Sequence, residues 1–299
     1  MKWNKKLLAF LVLGMLLASC TEDIVIDLEK GDPMIGVEAS FSNELKCHEA
    51  ILSYTADFYN KDDIRYISGA TVYVTDGVDT MYYFEDAELK GHYFTEPVAG
   101  KKNTLYRLCV NVQEPDGEVV RLFAESLLPD NVERIDSLVI KPYNGANDTM
   151  PSTIFNDTIE WVYPYFQSLP DPNIIYAPSI YKNDTLLSDT LTQRSMIPVG
   201  GYAGYYINGP EMQAANKEIP VYAFRKRELK NGDLIRLDLC SIPMEYVYYY
   251  YSLLMSMGSN PMMGAPANVS TNIQPSDRGV GWFMTSTVVS VETQFVDKK

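Results

Sequence analysis

Apolar and polar residues alternate along much of this chain with a period of two, the spacing of half-buried strands. Segment 35–41, Ile-Gly-Val-Glu-Ala-Ser-Phe, carries the pattern, and it returns in 48–58, 68–77, 81–84, 91–94, 105–112 and 119–124. Turn residues divide these segments: Ser42-Asn43, Asn60-Lys61-Asp62-Asp63, Gly77 and Pro115-Asp116-Gly117. Short alternating runs with turn signals between them predict a β-sandwich over 34–128. Pro129-Asp130-Asn131-Val132-Glu133 reads as a boundary. Beyond it, 134–142, 158–166, 174–181, 219–224, 232–239 and 285–291 predict a second β-rich domain over 129–299.

One stretch breaks the period. Ser241-Ile242-Pro243-Met244-Glu245 has the marks of a helix start, with serine as cap, proline in the first turn and an acid facing the dipole. A helix is predicted over 241–257, ended by Gly258. Its tyrosine run, 248–251, covers every face, so the helix is expected to be buried against a sheet. The fold class is therefore mostly β. In the first domain the order Gly69-Ala70-Thr71-Val72, Gly91-His92-Tyr93 and Tyr106-Arg107-Leu108-Cys109-Val110 is similar to transthyretin-like or immunoglobulin-like sandwich modules.

The N-terminus carries a different pattern. Lys2, Lys5 and Lys6 precede an apolar run, 7–17, which closes on Leu17-Ala18-Ser19-Cys20. That is the layout of a secretory signal peptide over 1–19, too short to span a bilayer, which takes about 20 residues. The last four residues resemble a bacterial lipobox. The resemblance implies cleavage before Cys20, lipidation of Cys20 and a tether over 20–33. Thr21-Glu22-Asp23 is similar to the acidic signal that sends Bacteroidota lipoproteins to the outer face of the outer membrane. Cleavage removes three lysines and no acid, taking the formal net charge from −14 to −17. A chain so acidic repels nucleic-acid phosphates, which excludes that partner class.

Candidate chemistry is sparse. Besides Cys20 there are Cys47, Cys109 and Cys240. They read as free and buried, with a Cys47–Cys109 bridge as the alternative in an oxidising envelope. His48 and His92 stand in no metal or nucleophile motif, and no cofactor is expected. The turns Asp76-Gly77-Val78-Asp79 and 60–63 lack the spacing of a calcium loop and read as solvated turns. The aromatics are the candidate ligand surface. Tyr202, Tyr205 and Tyr206 lie in a glycine-rich segment, and Trp161, Tyr163 and Tyr165 share one strand face. Such rows stack on sugars, and a buried core explains the second row equally well.

The C-terminal region carries a more specific signal. The Tyr-rich helix is followed by Pro266-Ala267-Asn268-Val269-Ser270-Thr271-Asn272-Ile273 and Gly279-Val280-Gly281-Trp282-Phe283. With Val37-Glu38-Ala39, Ser68-Gly69-Ala70-Thr71-Val72, 124–129 and Ile135-Asp136-Ser137-Leu138, this resembles the Bacteroidota lipoproteins catalogued as domain of unknown function 4249. Members of that family look like surface lipoproteins encoded near TonB-dependent transporters. The resemblance implies a non-enzymatic, lipid-anchored accessory of such a transporter, facing the cell exterior and capturing a glycan or other nutrient. A structural or adhesive surface protein is the alternative reading.

Overall fold

The computed structural model describes residues 33–55, 64–130, 134–142, 153–154, 157–166, 174–187, 207–208, 220–258 and 269–297. These belong to one compact unit, 33–299. The fold is mostly β, as the alternation predicts. Seven strands build the first half: β1 (Ile35–Ser42), β2 (Glu49–Tyr54), β3 (Thr71–Thr75), β4 (Thr80–Glu85), β5 (His92–Thr95), β6 (Thr104–Gln113) and β7 (Val119–Leu128). The second half contributes β8 (Ile135–Pro142), β9 (Thr153–Ile154), β10 (Asp157–Phe166), β11 (Ile174–Lys182), β12 (Thr185–Leu186) and β13 (Ile207–Asn208). It continues with β14 (Tyr222–Arg225), β15 (Leu234–Pro243), the helix α1 (Met244–Gly258) and β16 (Gly279–Gln294).

Among the described residues a 12-stranded sheet runs in the order β12-β11-β15-β16-β1-β2-β5-β4-β3-β6-β7, with β13 beside β11. A second, four-stranded sheet orders β14-β10-β8, with β9 beside β10. The last strand is the seam. At about 3.3 Å per residue, the 16 residues of β16 span about 50 Å. Its first half pairs in parallel with β1, from Ile35↔Gly279 to Ser42↔Ser286. Its second half pairs antiparallel with β15, from Ser241↔Thr287 to Leu234↔Gln294.

Two main cores follow. In the first, the large sheet curls until β7 meets β16, enclosing Phe41, Leu52, Tyr93, Tyr106, Leu108 and Phe283. Burying a phenylalanine such as Phe283 contributes about 1.5–3 kcal/mol. Two buried tyrosines keep their hydroxyls paired, Tyr93 donating to the Ile67 carbonyl and Tyr106 accepting the Lys101 N–H, whereas the Tyr83 hydroxyl is buried without a partner. The second core lies between the small sheet and β11, β15 and β16, where Val162, Phe224, Tyr176, Leu237 and Phe295 meet. The cores do not divide at 129: Ile273 and Phe283 belong to the first, and β16 pairs with strands of both halves.

The helix differs from its expected bounds. Ser241, Ile242 and Pro243 extend β15, where Ser241 pairs with Tyr176 and Thr287. Ser241 is fully buried and its Oγ has no partner, so it is no helix cap. Pro243, with no N–H for a ladder, closes the strand, and the helix begins at Met244. Nor is α1 buried all round: Val247 and Tyr250 are covered, while Tyr248 is 64% exposed.

A groove on the outer face of the large sheet

Strand alternation that fills the cores also sends a second set of side chains outward. On β1 these are Glu38, Ser40 and Ser42, and on β16 Trp282, Met284, Ser286 and Val288. Beside them lie Glu49 and Ile51 of β2, Asp238, Cys240 and Ile242 of β15, and Ala177, Ser179 and Tyr181 of β11. The helix crosses this face, with Val247 packed on Ile175 and Ile242. Tyr246 then stands between two open hollows, which share Ser40, Tyr246 and Met284.

The first hollow, about 100 Å³, is an aromatic corner with acids at its rim: Tyr246, Tyr249 and Trp282 with Glu38 and Glu49. Trp282 stacks on Tyr249 at 5.2 Å between ring centroids and meets Tyr246 edge-on at 6.2 Å. Glu38 is the register partner of Trp282. Burial, then the nearby Glu38 charge, pushes the Tyr249 hydroxyl up to about 12. Trp282 is 8% exposed and its Nε1–H has no hydrogen-bond partner. His92 Nδ1 lies 2.7 Å from Glu49 Oε1 and holds that carboxylate in place.

The second hollow, about 220 Å³, continues across β16, β15 and β11. Glu44, Lys46, His48, Tyr181 and Asp238 line it, and Lys46 is bonded to Glu44. Asp238 Oδ1 is buried without a hydrogen bond, although Arg236 Nε is 3.3 Å away. Arg236 also lies over the Tyr181 ring at 4.0 Å.

A local device aims Trp282. Gly281 takes φ +115, and a Cβ there would sit 2.0 Å from the Val37 carbonyl oxygen. Only glycine lets the parallel strands approach this closely. The free edge of this part of β16 is bonded by side chains instead of a strand. Asn272 Nδ2 donates to the Phe283 carbonyl at 2.8 Å, and Asn272 Oδ1 accepts the Phe283 N–H at 2.9 Å. Thr271 Oγ1 donates to the Gly281 carbonyl. The two motifs Thr271-Asn272-Ile273 and Gly279–Phe283 are therefore two sides of one joint, with Phe283 in the core and Trp282 on the outer face.

The candidate residues read from the sequence fare unequally. Tyr202, Tyr205, Tyr206 and Cys20 lie outside the described residues. Trp161 is 1% exposed and packs with Ile159 and Tyr163, which corrects its assignment to a ligand surface. Alternation set the row on one face, and that face is covered. Cys47, Cys109 and Cys240 form no disulfide, but none is fully buried: Cys47 is exposed, and Cys109 and Cys240 are half-buried. Asp76 and Asp79 belong to an ordinary turn: the Asp76 Oδ1 accepts the N–H groups of Val78 and Asp79, and Lys101 bridges both acids. His48 is buried against Phe41, with Nε2 at 2.9 Å from the Val98 carbonyl oxygen. Among the described residues neither imidazole bonds a serine, threonine or cysteine side chain. No group of three or more His, Cys, Asp or Glu there is placed to hold a metal ion. No local sequence motif marks the corner of Trp282, Tyr246 and Tyr249 as a site. Its parts are present in the glycine-flanked aromatic and the tyrosine helix, but only folding brings them together.

Residues 21–292 match the model of a family described as Domain of unknown function (DUF4249). No curated protein matches the chain.

Proposed function

Since the chain belongs to the family Domain of unknown function (DUF4249), whose matched region opens directly after Cys20, we propose a surface-exposed outer-membrane lipoprotein. In this reading it captures substrate for a TonB-dependent transporter and performs no catalysis. The carrying observation is the lipobox-like Leu17-Ala18-Ser19-Cys20 immediately ahead of the family region. The signal peptide leaves, Cys20 takes the lipid, and more than one acyl chain anchors the protein stably. The acidic tether addresses it to the outer membrane, facing outward. The groove across β2, β1, β16, β15 and β11 supports the capture role, because it joins ring faces to carboxylates and hydroxyls on a rigid sheet.

Metabolic labelling with a radioactive fatty acid, followed by gentle solubilisation and tagged purification, tests this. Labelling that Cys20→Ala abolishes, with stoichiometric recovery of a TonB-dependent barrel, is the expected result. An unlabelled protein in the soluble fraction would sink the anchor. A labelled protein recovered alone would remove the transporter and favour an adhesive role. That second reading has its own support in exposed apolar side chains of β4, β6 and β7, namely Phe84, Phe123 and the cross-strand pair Leu105 and Leu127.

A further inference from the structure

We infer that the outer-face groove binds a short basic peptide, seating a lysine ammonium or arginine guanidinium at Glu38 and Glu49 against the Tyr249 and Trp282 rings. Two independent demands of the site point to this chemistry. The first is charge. Glu38 and Glu49 line the smaller hollow with no lysine or arginine among its lining residues; Glu49 is bonded through one oxygen to His92, and no ion pair engages Glu38 among the described residues. In the adjoining hollow Glu44 is already bonded to Lys46 and Asp238 lies 3.3 Å from Arg236, so the uncompensated charge sits at Glu38 in the smaller one. A cation entering here meets carboxylates and the negative faces of stacked rings together. An anionic ligand is repelled, and a neutral sugar leaves Glu38 without a counter-charge.

The second demand is an acceptor. The Trp282 Nε1–H is buried without a partner, on a residue that lines the same hollow as Glu38 and Glu49. A peptide carbonyl supplies the acceptor, while its basic side chain supplies the cation. The two hollows share Ser40, Tyr246 and Met284, so the larger one leads on from the smaller and leaves room for further residues. This deepens the capture reading and rests on it for its biological setting only.

The test is a titration of the purified protein with trilysine amide, read by tryptophan emission and by calorimetry. Expected is saturable binding that weakens as salt is raised. Glu38→Gln with Glu49→Gln should lower the affinity at least about tenfold. Trp282→Phe, which keeps a ring and removes the donor, should also weaken binding, and Glu292→Gln, at the far end of β16, should not. Circular dichroism establishes that each variant is folded. No saturable binding of trilysine or triarginine, equal affinity in the double variant, or binding of maltotriose or triglutamate instead would overturn the inference. Trilysine binding without recovery of a transporter would uphold the groove and remove the transporter setting. Transporter recovery without trilysine binding would do the reverse.

Discussion

The hydroxyl of Ser126 lies 2.9 Å from that of Thr285, 159 residues along the chain, and also accepts the Thr285 backbone N–H at 3.0 Å. Both residues are buried, and the contact closes the first core by tying β7 to β16. The neighbouring bridge Phe123↔Gln274 and the bond from Thr287 Oγ1 to the Pro129 carbonyl fasten the same seam. Removing the Ser126 hydroxyl leaves a buried backbone donor unpaired. Ser126→Ala should therefore cost about 1–3 kcal/mol in urea denaturation. A double-mutant cycle with Thr285→Val should show coupling of about 0.5 kcal/mol or more, and strict additivity would contradict the link.

Glycine substitutions should separate steric from conformational cost. Gly281 and Gly117 both have positive φ, at +115 and +91. A Cβ at Gly281 meets the Val37 carbonyl oxygen, whereas none lies within 4 Å at Gly117. Gly117→Ala should lose about 1–2 kcal/mol from backbone strain alone. Gly281→Ala should lose more than about 4 kcal/mol or fail to accumulate folded, because β1 and β16 must separate. Comparable midpoints for the two variants would count against the close strand approach.

Acid sensitivity should trace partly to His48. Burial holds its imidazole below the ordinary value of 6.5, with the Val98 carbonyl opposing that shift. As pH falls the unfolded chain takes up this proton before the folded one does. The contribution is therefore complete above pH 6.5 and is lost as pH falls toward the lower folded value. Glu160, raised by burial, works the other way: its contribution grows as pH falls through the raised value. The stability difference between about pH 7.5 and about pH 5.5 should accordingly be smaller in His48→Gln than in the parent. An unchanged difference would deny the burial effect.

Thiol labelling should rank the cysteines and report on the lipid. Cys47 is exposed, while Cys109 and Cys240 are half-buried. In native envelope protein Cys47 should react first with a maleimide, and Cys109 and Cys240 more slowly. In denaturant, three labels are expected if Cys20 carries lipid, against four if the whole chain retains free cysteines. Mass spectrometry of the labelled protein distinguishes the two outcomes.

Much of the architecture was legible in the alternation. β1 appears where 35–41 alternates, and β6, β7, β8, β10 and β11 appear near their expected places. The period of two is strong because one strand face must leave water, and sequence neighbours alone record it. Two errors have a common cause. Ser241-Ile242-Pro243 suits a helix start by local preference, yet pairing on both sides, with β11 and β16, keeps it extended. Trp161 sits in an aromatic row that alternation puts on one face, but exposure depends on what covers that face.

Periodicity and turn chemistry by themselves determined that the chain is mostly β and where most strands begin. The Thr271–Ile273 and Gly279–Phe283 motifs carry the family resemblance in the sequence alone. What only the tertiary structure decided was partnership. Parallel pairing of β1 with β16 joins residues more than 240 positions apart, as in Ile35↔Gly279, and no local pattern encodes such a register. That pairing, with α1 folded back across it, brings Glu38, Tyr249 and Trp282 to one hollow. Each of these side chains is locally unremarked; their common environment arises from long-range packing, which is where the groove acquires its charge and its unpaired donor.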